Sequence, residues 1–149
     1  MIVLGLDYGE KRIGVAICDE LGITARGVAT IASKYWKKDI EQIEILVRKY
    51  NVEKIVIGYP VRLDGTEGIQ CEKVNMFADA LETGVSVPVE KWNEALSTKE
   101  AEGLLREADM NPRKRRAVVD RMAAAIILQD YLDHNPNIPE AKPRREQER

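Results

Sequence analysis

Short apolar runs separated by glycine-containing turns open the chain and predict strands. The runs contain β-branched residues and cover residues 2–7, 13–19 and 23–31, with Gly9 and Gly22 in the turns between them. Strands joined by connections this short pair antiparallel, because a parallel pair needs a crossover of a dozen or more residues. Residues 2–31 are therefore expected to form three antiparallel strands.

The apolar spacing then changes to that of helices alternating with strands. Apolar residues recur every three or four positions over 38–50 and 69–81, which predicts amphipathic helices. Consecutive apolar residues within 54–58 predict a buried parallel strand, and residues 85–92 predict a strand that begins around its proline. Two more helices are predicted over 97–108 and 117–132. This order predicts a single α/β domain with a mixed sheet.

Asp7 ends the first predicted strand, although carboxylates are uncommon in strands. Burying a carboxylate is costly unless it is paired, hydrogen-bonded or bound to a cation. An exposed turn residue that bonds nearby backbone amides is the alternative interpretation of Asp7 by itself. The residue becomes a candidate for chemistry because two other carboxylates have similarly unusual positions.

Those two carboxylates are Glu94 and Asp120. Glu94 lies between the predicted strand over 85–92 and a helix whose N-cap is Ser97. Asp120 interrupts the first turn or so of the helix over 117–132, which is apolar nearly all round and is expected to be largely buried. The simpler interpretation of Glu94 is an exposed loop residue. For Asp120 it is a partner of the helix dipole or of a preceding arginine.

Together the three carboxylates predict a cation site. Carboxylates held near one another repel unless a cation neutralises them, and oxygen ligands of this kind suit Mg²⁺ or Mn²⁺. Such ions take their remaining ligands from water and substrate phosphates, and a pair of them can activate water against a phosphodiester. Asp7, Glu94 and Asp120 are therefore candidate metal ligands and catalytic residues.

Composition excludes several other kinds of chemistry. The chain has a single histidine, His134, which is too few for a histidine-based zinc site and makes a histidine-containing catalytic triad a poor candidate. Cys18 and Cys71 are expected to be free thiols. With 44% hydrophobic residues in 149, the chain can bury one good core, which we place in a domain over 1–134. Residues 135–149 hold many charges and three prolines and are expected to be disordered.

No apolar stretch approaches the roughly 20 residues of a membrane span, and the N-terminus lacks a signal-peptide pattern. The sequence therefore predicts a cytoplasmic protein without a membrane partner.

The basic residues are clustered, although the formal net charge is −2. Residues 113–116 are four consecutive cations that lead to Asp120, where they could contact a phosphate backbone. Arg62 lies in a glycine-containing loop over 58–68 that follows a predicted buried strand, the position at which α/β sheets bind ligands. The candidate nucleic-acid contacts are Lys11, Arg12, Arg62, Arg113, Lys114, Arg115 and Arg116. Lys34, Lys37 and Lys38 form a further cluster, for which solvated surface is the simpler interpretation.

Four segments of the sequence resemble the YqgF family, also called RuvX, a bacterial branch of the RNase H-like nucleases. They are GLDYGEKRIGVA at 5–16, VIGYPVRLDGTEG at 56–68, WNEALST at 92–98 and VVDRMAAAIILQDYL at 118–132. The resemblance implies an RNase H-like fold with a central five-stranded mixed sheet flanked by helices. It also implies Asp7, Glu94 and Asp120 as an acidic, metal-binding triad that uses Mg²⁺ or Mn²⁺.

The activity implied by the resemblance is endonucleolytic cleavage of nucleic acid. The favoured reaction is maturation of the 5′ end of precursor 16S ribosomal RNA. Structured RNA is the favoured partner, with ribosomal precursor particles as a further one. Because the family's older label is Holliday junction resolvase, branched DNA stays open, as does the choice between monomer and homodimer.

One departure from the family pattern leaves an alternative function open. The family usually has Asp, Glu and Arg where this chain has Asn93, Glu94 and Ala95. A non-catalytic nucleic-acid-binding factor in ribosome assembly is therefore the main alternative. The sugar kinase and actin ATPase fold uses a hairpin similar to residues 5–14, but those proteins duplicate the domain and need a much longer chain.

Overall fold

The computed structural model describes residues 1–9, 11–59, 68–93 and 112–135, with the backbone alone at 69, 70 and 112–115. The strands are β1 (Val3–Tyr8), β2 (Arg12–Cys18), β3 (Ala25–Ala32), β4 (Lys54–Tyr59) and β5 (Val89–Asn93). The helices are α1 (Trp36–Lys49), α2 (Ile69–Gly84) and α3 (Pro112–His134). The helix predicted over 97–108 lies outside the described residues, as do residues 136–149 of the predicted tail.

All five strands form one mixed sheet in the order β3-β2-β1-β4-β5. The first three strands pair antiparallel, whereas β1, β4 and β5 run parallel to one another. The predicted five-stranded mixed sheet is thus confirmed. Because the three parallel strands end at Tyr8, Tyr59 and Asn93, these residues lie along one edge, which we call the C-terminal edge of the sheet.

Alternation along the strands divides the core into two layers. Leu4 and Leu6 of β1 point to the face that α1 and α2 cover, where they join a cluster that includes Ile43 and Phe77. Val3 points to the opposite face, where it packs with residues of α3 such as Leu128. Side chains alternate between the two faces of a strand, and Asp7 is four positions after Val3. The side chain of Asp7 therefore lies on the same face as Val3, the face that α3 covers.

The observed boundaries confirm one prediction and correct another. The last strand begins at Val89, directly after its proline as expected, since the amide of Val85 still donates to the carbonyl of Leu81 and completes α2. The last helix begins at Pro112, five positions before the predicted start. Proline suits the first position of a helix, and the basic residues after it are good helix formers.

The early start of α3 changes the environment of Asp120. The residue lies about two turns inside the helix, beyond the first turn in which the helix dipole acts, so the dipole interpretation of Asp120 is wrong. The expectation that this helix is largely buried is also only half right. One side of α3 is buried on the sheet, whereas five apolar side chains are partly exposed: Ala117, Val118, Met122, Ala125 and Ile126.

Within the described part of the chain, none of the helices has the length and hydropathy needed to cross a membrane.

Candidate functional site

Asp7 is half-buried near the end of the central strand, directly opposite Gly14 of β2. Opposite residues of an antiparallel pair project to the same face, with Cβ positions about 4.5–5.5 Å apart. A Cβ added to Gly14 would come within 1.9 Å of the carbonyl oxygen of Asp120. Asp7 and Asp120 therefore lie on the same face of the sheet, and the missing side chain of Gly14 lets the backbone of Asp120 approach it closely.

The carboxylate of Asp120 has a cationic partner from another element. Arg12, the first residue of β2, donates a hydrogen bond from Nε to Oδ2 of Asp120 at 2.6 Å. The two side chains are 34% and 15% exposed, so the pair is partly shielded from solvent. The sequence pattern favours the arginines just before Asp120 as partners, but the observed partner lies 108 positions earlier in the chain. No local pattern could indicate this pair.

Glu94, the third predicted carboxylate, lies outside the described residues. Its predecessor Asn93 ends β5 and pairs with Tyr59 at the C-terminal edge of the sheet. Asn93 is the last described residue before Glu94, and it lies at the same edge of the sheet as the end of β1. Within the described ranges, no three His, Cys, Asp or Glu side chains are placed to hold a metal ion, so Asp7 and Asp120 form the described part of the candidate site.

The predicted nucleic-acid contacts have different positions. Lys11 is exposed in the turn between β1 and β2, next to Arg12. Arg116 is exposed on α3, and residues 113–115 form the first turn of that helix with their side chains outside the description. Arg62 lies outside the described residues altogether. The structure thus brings Arg12 to Asp120, and Lys11 precedes Arg12 in the exposed turn.

Asp39 is a buried carboxylate that the sequence pattern did not single out, and it stabilises the turn at residues 33 and 34. Asp39 of α1 is fully buried and accepts hydrogen bonds from Ser33 Oγ at 2.6 Å and from the amide of Lys34 at 3.1 Å. The amide of Ser33 in turn donates to the carbonyl of Lys11 at 2.9 Å. Asp39 precedes Ile43 by four positions, so its place on the apolar face of α1 was the available signal.

Comparison with known sequences gives a consistent result. Residues 1–134 match the model of the RuvX family, which is described as Holliday junction resolvase. A relative in Syntrophus aciditrophicus is 63% identical over 133 residues, which cover 89% of this chain and 89% of the relative. One in Halothermothrix orenii is 48% identical over 134 residues, covering 90% and 96%. Both are named “Putative pre-16S rRNA nuclease”.

Solved structures agree at the level of the fold. Thermus thermophilus RuvC in complex with a Holliday junction substrate has a TM-score of 0.56 and 16% identity, covering 91% of this chain and 96% of that one. The fowlpox virus Holliday junction resolvase has a TM-score of 0.50 and 17% identity, covering 90% and 99%. Identities this low bear on the fold alone. These neighbours have the RNase H-like fold, so that expectation is confirmed.

Proposed function

The chain belongs to the RuvX family, and from this premise we propose that it is an endonuclease that hydrolyses phosphodiester bonds at the 5′ end of precursor 16S ribosomal RNA. The observation that carries the proposal is the placement of Asp7 and Asp120 on one face of the sheet, across Gly14. Because one aspartate is on a central strand and the other on a helix packed against the sheet, the two have little freedom to move apart. Such an arrangement is suited to binding a cation rather than to stabilising the fold.

The donor set suits a hard divalent cation. Asp7, Glu94 and Asp120 would hold Mg²⁺ or Mn²⁺, since all three offer carboxylate oxygens. Arg12 would have to give up its contact with one oxygen of Asp120 where a cation takes that oxygen as a ligand. The chemistry that a divalent cation supplies at a site of this kind is activation of water and neutralisation of charge on the phosphate.

The remaining residues act on the substrate. Arg12 can donate several hydrogen bonds in a planar fork, which matches a phosphate as well as it matches Asp120. Lys11, Arg62 and residues 113–116 would contact the phosphate backbone and hold the scissile bond beside the carboxylates. The rigidity of β1, the central strand, fixes Asp7 against this bond.

The test is cleavage of an end-labelled RNA that spans the 5′ end of precursor 16S ribosomal RNA, with Mg²⁺, with Mn²⁺ and with a chelator. We expect cleavage that requires a divalent cation and stops in Asp7→Asn and Asp120→Asn. The matched control is Asp79→Asn, because Asp79 is an exposed aspartate of α2. Absence of cleavage under all conditions would favour the non-catalytic ribosome-assembly factor.

A second substrate is kept in the assay because the family model is described as Holliday junction resolvase. A four-way DNA junction is incubated under the same conditions as the RNA. If the protein cleaves the junction but not the RNA, its substrate is branched DNA, and the proposed roles of the carboxylates are unchanged.

A further inference from the structure

Exposed aromatic and basic side chains occur together where α1 begins. We call this group the aromatic-lysine surface, and it consists of Lys34, Tyr35, Trp36, Lys37 and Lys38. Tyr35 is 61% exposed and Trp36 is 36% exposed, and the three lysines are exposed as well. Within the described part of the chain, none of these lysines forms an ion pair. None of the five residues belongs to the proposed active site.

Aromatic contacts join this surface to the central strand. The indole Nε1 of Trp36 donates to the hydroxyl of Tyr8 at 3.3 Å, and Tyr8 follows Asp7 directly in β1. Phe77 of α2 stacks on Tyr8 at 4.5 Å and receives the edge of Trp36 at 5.9 Å. The surface is therefore held against the C-terminal edge of the sheet, on the face opposite Asp7.

The same edge continues as a row of rings and cations. The register places Leu6 beside Ile57, so Tyr8 and Tyr59, each two positions further on, end adjacent strands on the same face. Lys91 Nζ lies 5.3 Å from the centre of the Tyr59 ring. Aromatic faces and positive charges thus extend across the ends of two neighbouring parallel strands.

Three residues of the aromatic-lysine surface depart from the local preferences of a helix start: Tyr35, Lys37 and Lys38. Tyr35 occupies the N-cap of α1 without a side-chain cap, although serine, threonine, aspartate or asparagine is preferred there. Lys37 and Lys38 place positive charge in the first turn, where the helix dipole disfavours it. Departures from local rules at neighbouring positions are typical of functional surfaces.

We propose that the aromatic-lysine surface binds a single-stranded segment of the RNA substrate beside the cleavage site. Tyr35 and Trp36 stack on successive bases, and the lysines contact the phosphates between them. Aromatic stacking combined with a basic track is the general way in which proteins bind single strands, because every base has a π face. The inference rests on the proposed function. It explains how the nuclease would prefer RNA that has an unpaired segment next to the bond to be cleaved.

The first test measures binding of a 12-nucleotide unpaired RNA and of a 12-base-pair RNA duplex. Tyr35→Ala should weaken binding of the single strand about tenfold or more, whereas Tyr35→Phe, which keeps the ring, should bind as the wild type does. Ile45→Ala is the matched control, since Ile45 is 63% exposed on the same helix. Wild-type affinity in Tyr35→Ala, or an equal loss on the duplex, would overturn the proposal.

The second test uses Trp36 as a reporter. The other tryptophan, Trp92, donates to Asp130 Oδ2 at 2.8 Å and packs against Tyr131, so Trp92→Phe keeps a ring in that contact and leaves Trp36 as the single indole. Stacking on a base should quench Trp36 emission as the RNA saturates the protein. Unchanged emission at saturation, or quenching by a DNA 12-mer but not by the RNA, would overturn the assignment.

The third test concerns the lysines. The double variant Lys37→Gln, Lys38→Gln should make the logarithmic salt dependence of single-strand binding shallower by about 1.4, because each phosphate contact on a single strand accounts for about 0.7. Lys49→Gln at the other end of α1 is the control and should leave the slope unchanged. An unchanged slope in the double variant would mean that Lys37 and Lys38 make no phosphate contacts and are only solvated surface residues.

Cleavage is measured on the same protein preparations so that the two proposals can fail separately. RNA binding that quenches Trp36 in Trp92→Phe, together with a wild-type protein that cleaves nothing, would support this inference and contradict the nuclease function. Cleavage by Tyr35→Ala with wild-type affinity for the RNA would overturn this inference and leave the nuclease function standing.

Discussion

At the scale of single residues, the charge around Asp120 decides what its carboxylate can bind. One of its oxygens accepts a hydrogen bond from Arg12 at 2.6 Å. A guanidinium and a divalent cation are both attracted to the same carboxylate, so the two compete. We therefore expect Arg12 to oppose cation binding at Asp120, and to become available to a substrate phosphate once a cation is bound.

Asp7→Asn should abolish cleavage and leave the fold intact. Asp7 lies on the same face of the sheet as Asp120, so repulsion between the two carboxylates opposes the stabilisation that the contacts of Asp7 contribute. The melting temperature should be unchanged or slightly higher. Thermal unfolding and the RNA cleavage assay check the two expectations together. A large loss of stability with activity retained would show that Asp7 has a structural role.

Arg12→Gln should raise the affinity for Mn²⁺ severalfold, because the competing cation is removed. The free energy of unfolding should fall by less than about 1 kcal/mol, the usual worth of a partly exposed ion pair. Calorimetric titration and denaturant unfolding measure the two quantities. Arg48→Gln is the control, since it removes the ion pair with Glu44 on α1. An unchanged or weaker affinity for Mn²⁺ in Arg12→Gln would contradict the competition.

At the scale of elements, glycines on three adjacent strands bring α3 close to the sheet. A Cβ at Gly5 of β1 would lie 2.8 Å from the Cβ of Leu128, and one at Gly27 of β3 would lie 2.7 Å from the Cβ of Arg121. The tightest contact is at Gly14 of β2, where the neighbour is backbone. Since backbone cannot rotate away as a side chain can, Gly14 determines how near Asp120 comes to Asp7.

Gly14→Ala should displace α3 and with it Asp120. The added methyl group would overlap the Asp120 carbonyl, so we expect a loss of about 1–3 kcal/mol in the free energy of unfolding together with loss of cleavage. Denaturant unfolding and the cleavage assay provide the measurements. Gly5→Ala would add a methyl group against Leu128 of the same helix, further from Asp120. This variant should also lower stability, but it should reduce cleavage less than Gly14→Ala does. Full activity in Gly14→Ala would mean that the spacing of the two aspartates is unimportant.

The first turn of α3 offers an electrostatic test. If residues 113–116 contact the substrate backbone, Arg113→Gln with Arg115→Gln should weaken binding of all RNA sequences alike. The logarithmic salt dependence should become shallower by roughly one to two, because each phosphate contact releases nearly one counterion. Filter binding across a salt series measures the slope, with Arg48→Gln, Lys49→Gln on α1 as the control. Equal slopes would identify the basic run as solvated surface.

At the scale of the whole molecule, cation binding should be coupled to folding, because the carboxylates converge only when the sheet and α3 are assembled. An ion that binds the folded state alone stabilises it by mass action. Mn²⁺ at 100 times its dissociation constant should therefore add about 2.7 kcal/mol. Thermal scans with and without Mn²⁺ should show this gain in the wild type and lose it in Asp7→Asn and Asp120→Asn. A gain that persists in both variants would place the cation elsewhere.

The sequence by itself determined the elements and much of the topology. Short apolar runs separated by glycine-containing turns predict the three antiparallel strands of the first 31 residues. Consecutive apolar residues around Val56 predict a parallel strand buried on both faces, and the structure contains all four strands. These inferences succeed because periodicity is a local property: each strand and helix must present its apolar residues to the core. The setting of Asp7 near the end of a strand could be predicted for the same reason.

The tertiary structure decided which side chains meet. The pair of Arg12 with Asp120, the approach of Asp120 to Gly14 and the contact of Trp36 with Tyr8 join residues from different elements. The apolar pattern also placed the start of α3 too late, which put Asp120 near a helix terminus that lies two turns away. Such contacts depend on how packed elements fit against one another, and that fit is set by the volumes of many side chains at once rather than by any local pattern.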